Sequence, residues 1–320
     1  MKLLVFAIDA LDPAYIRKWL DSMPFIQSLM NKSIMIELDS SAADSYANWT
    51  SIYTGQTPDE HNTSGAARDE PAIPESFKSL PFIWQGLAEQ GLSSGLTNPI
   101  MINKEVAERL YEVSPDSWIL SSHIATPQRF IGHLAHYIGY PPIIFANKEI
   151  TDNYFADDTM TNEEIGEALG PNYALGCYGR FLIRNLENMT NIINANKISP
   201  VDFGLFYEVG IDVIQHYSSH SEDGIKMIRR AYITLSAIME AMCNAIQPEH
   251  VVIVSDHGSD VFGSNRKCLE GVNELTGMVS AIHGMPGLLI APRNEWTAKY
   301  ENKSINVWET TKIISNTILS

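Results

Sequence analysis

Val251-Val252-Ile253-Val254-Ser255-Asp256-His257-Gly258 places a run of four β-branched residues directly before a carboxylate and an imidazole. Such a run, closed by turn-forming residues, reads as a strand buried on both faces, the kind that a parallel sheet requires. In open α/β sheets the ligand crevice lies beyond the carboxyl ends of the strands. Asp256 and His257 therefore stand where a ligand would bind, and both side chains are good donors to a divalent cation. Asp and Gly also make ordinary turns, so the corner alone leaves turn and metal site open.

Outward from this corner, strand-like runs alternate with helical patterns, which predicts an α/β fold with a mainly parallel central sheet flanked by helices on both faces. Strands are expected at 3–8, 35–38, 94–97, 203–207, 251–254 and 287–291. Helices are expected near 15–19, 24–31, 46–53 (stopping at Gly55), 82–90, 223–246 and 307–319. The stretch 102–196 differs: helical patterns at 128–137, 163–169 and 178–193 are joined by Pro-containing connections such as Tyr140-Pro141-Pro142. It reads as a helical insertion or cap within one domain covering 1–320.

Composition narrows the function classes. An apolar fraction of 45% is that of an ordinary globular protein. Thirty-eight acidic residues against 22 basic ones give a net charge of −16, which disfavours a binder of long nucleic acid but leaves open a small phosphorylated substrate, since bound cations can reverse the local field. Cys177, Cys243 and Cys268 are scattered and odd in number, which suggests a reducing compartment. The apolar start at 1–8 is too short for a signal-peptide core and is cut off by Asp9, and no run reaches the length of a membrane span. A cytoplasmic protein without membrane contact is expected.

Four more places supply chemistry. Asp9 ends the first strand, while Asp12, before Pro13, suits a helix cap. Asp212 and His216 have the i, i+4 spacing that puts two ligands on one helical face, although a solvated surface pair has the same spacing. His220 extends that spacing but is flanked by serines. His283 precedes the strand 287–291 and reaches the same sheet edge only if that strand runs antiparallel. Ser45 opens a helix, where it could serve as an N-cap or as a nucleophile beside a cation that lowers its hydroxyl pKa. The helix terminus favours an anion, and Asn48, one turn on, could hydrogen-bond a phosphoryl oxygen.

The order Asp9, Ser45 with Thr54-Gly55, Asp212-x-x-x-His216, Asp256-His257, His283 resembles the alkaline phosphatase superfamily. Within it the chain is most similar to the type I phosphodiesterase/nucleotide pyrophosphatase family, through 8–12 with Trp19, through 49–61 with its closing Thr-Gly-x-x-Pro-x-x-His, and through 83–91. The likeness covers about 1–100 and 203–292. It implies an alkaline phosphatase-like fold and two divalent metal ions, zinc with manganese as the alternative. Asp212, His216 and His283 would hold one ion; Asp9, Asp256 and His257 would hold the other, which also binds Ser45. Asn48 would contact the phosphoryl group. The implied reaction is hydrolysis of a phosphodiester or pyrophosphate bond in a small, nucleotide-like substrate through a phospho-seryl intermediate.

Departures exist. Many relatives carry threonine as nucleophile followed by prolines, where this chain has Ser45-Tyr46-Ala47. The Cys/Ser-x-Pro-x-Arg setting of sulfatases is absent, which excludes sulfate-ester hydrolysis. A phosphomonoesterase or phosphoglycerate-mutase-like enzyme on the same scaffold is the alternative within the class, and a non-catalytic nucleotide- or anion-binding module the alternative outside it. The oligomeric state is left open.

Overall fold

The protein is described here by a computed structural model covering residues 1–40, 44–63, 77, 79–100, 102–121, 129, 173–218, 222–259 and 286–320. Eight strands form one sheet: β1 (Leu3–Ile8), β2 (Ser33–Asp39), β3 (Ser94–Thr97), β4 (Trp118–Leu120), β5 (Phe203–Glu208), β6 (His250–Ser255), β7 (Gly287–Pro292) and β8 (Ser304–Asn306). Their spatial order is β4-β3-β5-β1-β6-β7-β2-β8. All described neighbours run parallel except β7, which is antiparallel to both β6 and β2.

The central strand explains why the sheet is covered on both faces. Every residue of β1 is buried. Leu3, Val5 and Ala7 point into one apolar cluster, and Leu4, Phe6 and Ile8 into the other. The period of two in side-chain direction makes a continuous apolar run feed two cores at once.

The first cluster packs α3 (Ser45–Thr54), α5 (Ile83–Glu89), α6 (Lys104–Val113) and the C-terminal α11 (Thr310–Leu319) on one face. A short helix, α4 (Pro58–His61), follows α3. The second cluster packs α1 (Pro13–Trp19), α2 (Pro24–Met30), α7 (Tyr173–Ile198), α8 (Gly210–Ser218) and α9 (Glu222–Ile246) on the other. The short α10 (Glu295–Ala298) connects β7 to β8. Each large side chain so buried, such as Trp49, Trp84 or Phe206, stabilises the fold by about 1.5–3 kcal/mol.

The expected strands and most of the expected helices are present with ends shifted by a residue or two, while the helix expected from 307 starts as a 3-10 turn at Val307–Glu309 and becomes α11 at Thr310. Two strands, β4 and β8, have three residues each and carry no periodic signal. β4 and α6 fall at the start of the expected cap but belong to the α/β layers. The expected helix at 178–193 is part of α7, which lies against the sheet. Those at 128–137 and 163–169 lie outside the described residues.

Candidate active site

The sheet order brings the candidate residues to one edge. β1 lies between β5 and β6, with Ile8 paired to Glu208 and Ala7 to Val254. The residues that follow these strands, Asp9, the first turn of α8 and Asp256-His257, therefore emerge side by side. β2 runs in the same sense, so the Ser45 end of α3 lies at this edge too. β7 enters from it, being antiparallel, and its start is pressed against the corner after β6. A Cβ on Gly287 would lie 2.3 Å from the Ser255 carbonyl oxygen, and one on Gly258 would lie 2.7 Å from both Asp12 Oδ2 and the Pro286 carbonyl oxygen. Only glycine permits so close an approach. His283, a few residues upstream, and His220 lie outside the described residues.

Ser45 is the first residue of α3, and the capping role open to it is filled by Asp44, whose carboxylate accepts from the Tyr46 N–H at 2.9 Å. The Ser45 hydroxyl instead faces the strand ends, 3.1 Å from His257 Nε2 and 3.4 Å from Asp9 Oδ1. Asp9 Oδ1 is also 3.2 Å from His257 Nε2. Asp212 and His216 pair on α8 at 3.4 Å, and ligand atoms of Asp212, Asp9 and His257 all lie within 4.8 Å of one another. Asn48, one turn beyond Ser45, is fully buried.

The orientation of these groups is fixed from behind. Asp9 Oδ2 accepts from the Tyr207 hydroxyl at 2.7 Å and from the Trp49 indole Nε1 at 3.0 Å, which leaves Oδ1 to face Ser45 and His257. The two rings meet edge to face at 5.2 Å. Burial, and then the Asp9 charge, hold the Tyr207 pKa well above its ordinary value, so its hydroxyl keeps its proton and acts as a donor. The His257 Nδ1 lies 3.0 Å from the Gly258 carbonyl oxygen. A carbonyl only accepts, so Nδ1 carries a hydrogen and Nε2 faces Asp9 and Ser45, presenting a lone pair there only when the ring is neutral.

Three buried carboxylates in this space need a counter-charge. Burial first, then Asp9, push the Asp256 carboxyl well above the usual range, with the His257 ring and the Ala10 N–H offsetting this only in part. Neither Asp256 oxygen has a hydrogen-bond partner of good geometry among the described residues. Burial opposes charge on His257, but Asp256, Asp9 and Asp212 outweigh it and raise its pKa well above 6.5. Buried carboxylates crowded together, with the His257 Nε2 3.2 Å from Asp9 Oδ1 and 3.6 Å from Asp256 Oδ2, suit a divalent cation, which inverts both shifts. Asp9, Asp212, Asp256, His257 and His216 are thus suited to hold metal.

The sequence matches the type I phosphodiesterase/nucleotide pyrophosphatase family over residues 3–310. The chain belongs to that family. Type I phosphodiesterases and nucleotide pyrophosphatases are metal-dependent phosphoric ester hydrolases, the enzyme class that the motif order implies. Human ectonucleotide pyrophosphatase/phosphodiesterase 5 shares the fold with a TM-score of 0.54 and 10% identity, over 100% of this chain and 95% of that one. An inactive form of the murine protein in complex with AMP gives 0.52 and 11%, with the same coverage. Phosphonoacetate hydrolase from Sinorhizobium meliloti 1021 gives 0.45 and 13%, matching 81% of this chain and spanning only 56% of that longer protein. No curated protein sequence matches the chain. At these identities the likeness to ectonucleotide pyrophosphatase/phosphodiesterase 5 establishes a shared fold alone.

Other motif residues of this phosphodiesterase family member have structural places. His61, which closes the Thr-Gly-x-x-Pro-x-x-His segment, is buried away from Ser45. Its Nδ1 accepts from the Thr63 N–H at 3.1 Å, so Nε2 donates to the Ser51 hydroxyl at 3.0 Å and braces α3. Asp12 caps α1 through the Ala14 and Tyr15 N–H groups, as its position before Pro13 suggests. No helix among the described residues is long and apolar enough to cross a membrane. A cavity of about 500 Å³ beside α5 and α6, lined by Leu80, Phe82, Gln85 and Arg109, contains none of the candidate ligands.

Sequence reasoning missed Tyr207 and Trp49 as partners of Asp9. Both look like core aromatics. The usable signal was chemical: a fully buried phenol or indole needs a hydrogen-bond acceptor, and Tyr207 sits one residue from the end of its strand.

Proposed function

We propose that this protein hydrolyses phosphodiester or pyrophosphate bonds in a small, nucleotide-like substrate, with Ser45 as nucleophile and two divalent ions, zinc or manganese, as cofactors. One observation carries the reading: the Ser45 hydroxyl, relieved of capping by Asp44, points at Asp9 and His257 within 3.4 Å. Asp9, Asp256 and His257 would hold one ion; Asp212 and His216, with His283, would hold the other. When bound, such ions lower the pKa of a serine hydroxyl and neutralise charge on a phosphoryl group.

The residues of the chain account for the rest. The Ser45 oxygen attacks phosphorus, the bond to the leaving oxygen breaks, and the phosphoryl group rests on Ser45 as an ester. Water then attacks phosphorus from the opposite side and releases Ser45. Asn48, three residues after Ser45 on α3, would contact a non-bridging oxygen through its side-chain amide, and the positive end of the helix favours the anion. The Tyr207 and Trp49 donors keep Asp9 from rotating, so Ser45 meets one oxygen of fixed direction. Diesters are favoured over monoesters because no lysine or arginine neighbours Ser45 along the chain, where the nearby polar group is Asn48. A site for the extra monoester charge usually adds such a residue.

The test is hydrolysis of bis-p-nitrophenyl phosphate against p-nitrophenyl phosphate by protein purified without chelator, alongside Ser45→Ala. Diester turnover, its loss in Ser45→Ala, and about two equivalents of zinc or manganese per chain are expected. Near-wild-type turnover by Ser45→Ala would remove the nucleophile assignment. A wild-type protein that binds AMP but neither metal nor turns over would be a binding module instead.

A further inference from the structure

The polar residue that joins the two halves of this site is Gln215. It lies on α8 between Asp212 and His216, three residues after the first and one before the second, and is fully buried. A buried primary amide has donors and acceptors that must find partners. Those of Gln215 reach two other segments. Its Nε2 donates to the Ala10 carbonyl oxygen at 2.8 Å, and its Oε1 accepts from the Ser259 hydroxyl in a close contact.

Both partners belong to ligand-bearing loops. Ala10 follows Asp9 and sits at φ +56, a left-handed conformation that a residue with a Cβ holds only when its surroundings enforce it. Ser259 follows His257 by two residues. These loops are also bonded to each other: Ser259 N–H donates to Asp12 Oδ2 at 2.7 Å, Leu11 N–H donates to Ser255 Oγ at 2.8 Å, and Ser255 Oγ donates to the His257 carbonyl oxygen at 2.9 Å. The loops after β1 and β6 therefore form one hydrogen-bonded unit. Gln215 fastens α8 to that unit through both of its amide atoms.

We propose that Gln215 is a positioning residue that sets the separation of the Asp212–His216 pair from the Asp9–Asp256–His257 group, and thereby the spacing of the two ions. This rests on the two-ion reading given above. Helix α8 bears one set of donors and the paired loops bear the other, so any slide of α8 changes the distance between them. The amide resists that slide along two directions, toward Ala10 and toward Ser259. Hydrophobic contacts of α8 alone are non-directional and would tolerate small shifts.

The test uses the full chain and Zn²⁺, measured by competition with a chromophoric chelator, in wild type, Gln215→Met and Ser259→Ala. Methionine keeps the length and volume of the side chain and removes both hydrogen bonds. Gln215→Met is expected to lose about 10–100-fold in Zn²⁺ affinity, as removal of a group that orients metal ligands typically does. It should also lower kcat more than it changes KM, and shift the visible absorption of the Co²⁺-loaded protein. Ser259→Ala, which leaves the bond to Ala10, should lose several-fold. Wild-type Zn²⁺ affinity in Gln215→Met, even with a lowered thermal midpoint of the metal-free protein, would overturn the proposal. If Gln215→Met fails to fold, wild-type affinity in Ser259→Ala does the same. A wild-type chain that binds no Zn²⁺ removes the underlying two-ion reading, an outcome distinct from either variant result.

Discussion

Tyr207 donates its hydroxyl to Asp9 Oδ2 across 2.7 Å, at the point where two neighbouring parallel strands end. With Trp49 on the same oxygen, the pair makes Asp9 a one-sided ligand whose other oxygen faces Ser45. A hydrogen bond to a charged group of this kind contributes about 1.5–3 kcal/mol.

Tyr207→Phe should therefore fold, keep its aromatic contact with Trp49, and bind Zn²⁺ about 10–100-fold more weakly than wild type. Chelator competition measures this directly. Because burial and Asp9 keep the phenol protonated, the deficit should be the same across the neutral pH range. Unchanged affinity would mean that Trp49 alone suffices to orient Asp9.

Asp256→Asn should reverse sign with metal. In chelator-treated protein, the buried Asp256 carboxyl has a folded pKa raised by burial and Asp9, so its contribution to stability is lost as pH rises from the ordinary carboxylate value toward the folded one. Removing the charge at neutral pH should leave metal-free protein as stable as wild type or more so. With Zn²⁺ at about 100 times its dissociation constant, wild type should gain ~2.7 kcal/mol that the variant largely forgoes. Urea unfolding with and without Zn²⁺ gives both numbers; a variant less stable in both conditions would contradict the metal role.

His61 should make the protein acid-sensitive. Burial lowers its pKa, with the Ala47 carbonyl, Glu60 and Asp44 opposing in part. The neutral ring is the folded form, so its contribution is complete above about 6.5, the unfolded value, and is lost as pH falls through the folded pKa. His61→Gln should show a smaller fall in urea midpoint between pH 7.5 and pH 5 than wild type. Identical pH slopes would show that His61 does not titrate on unfolding in this range.

Gly287→Ala should perturb the site from the far side of the corner. The added Cβ would lie 2.3 Å from a backbone oxygen of Ser255, which cannot rotate away. A cost of about 1–3 kcal/mol in stability is expected, as for other overpacked positions. Activity should fall with it, since the displaced segment leads into Asp256. A variant with wild-type stability and turnover would show that β7 has room to move.

Much of the fold was legible because it depends on local pattern. The β-branched run at 251–254 and the apolar run at 3–8 are buried strands, and Gly55 ends α3 at φ +73 as its position suggested. The strands β4 and β8 were not legible, since three residues carry too little periodicity to outweigh a loop. Ser45 illustrates the same limit at one residue: capping and catalysis need the same hydroxyl at nearly the same position, and only the structure gives the cap to Asp44.

By itself the sequence determined the chemistry on offer: Asp9, Asp212, His216, Asp256 and His257 stand at strand ends or at helical spacing, with Ser45 at a helix start, because these are properties of neighbours along the chain. Tertiary structure decided which of them meet. The strand order around β1, the reversed β7 and the left-handed turn at Ala10 arise from packing between residues tens to hundreds of positions apart. So do the bonds of Tyr207 and Trp49 to Asp9 and of Gln215 to two loops. Local sequence says at most that a buried phenol, indole or amide needs a partner, not which one, since such a residue looks the same in sequence whether it only fills space or also holds a ligand in place.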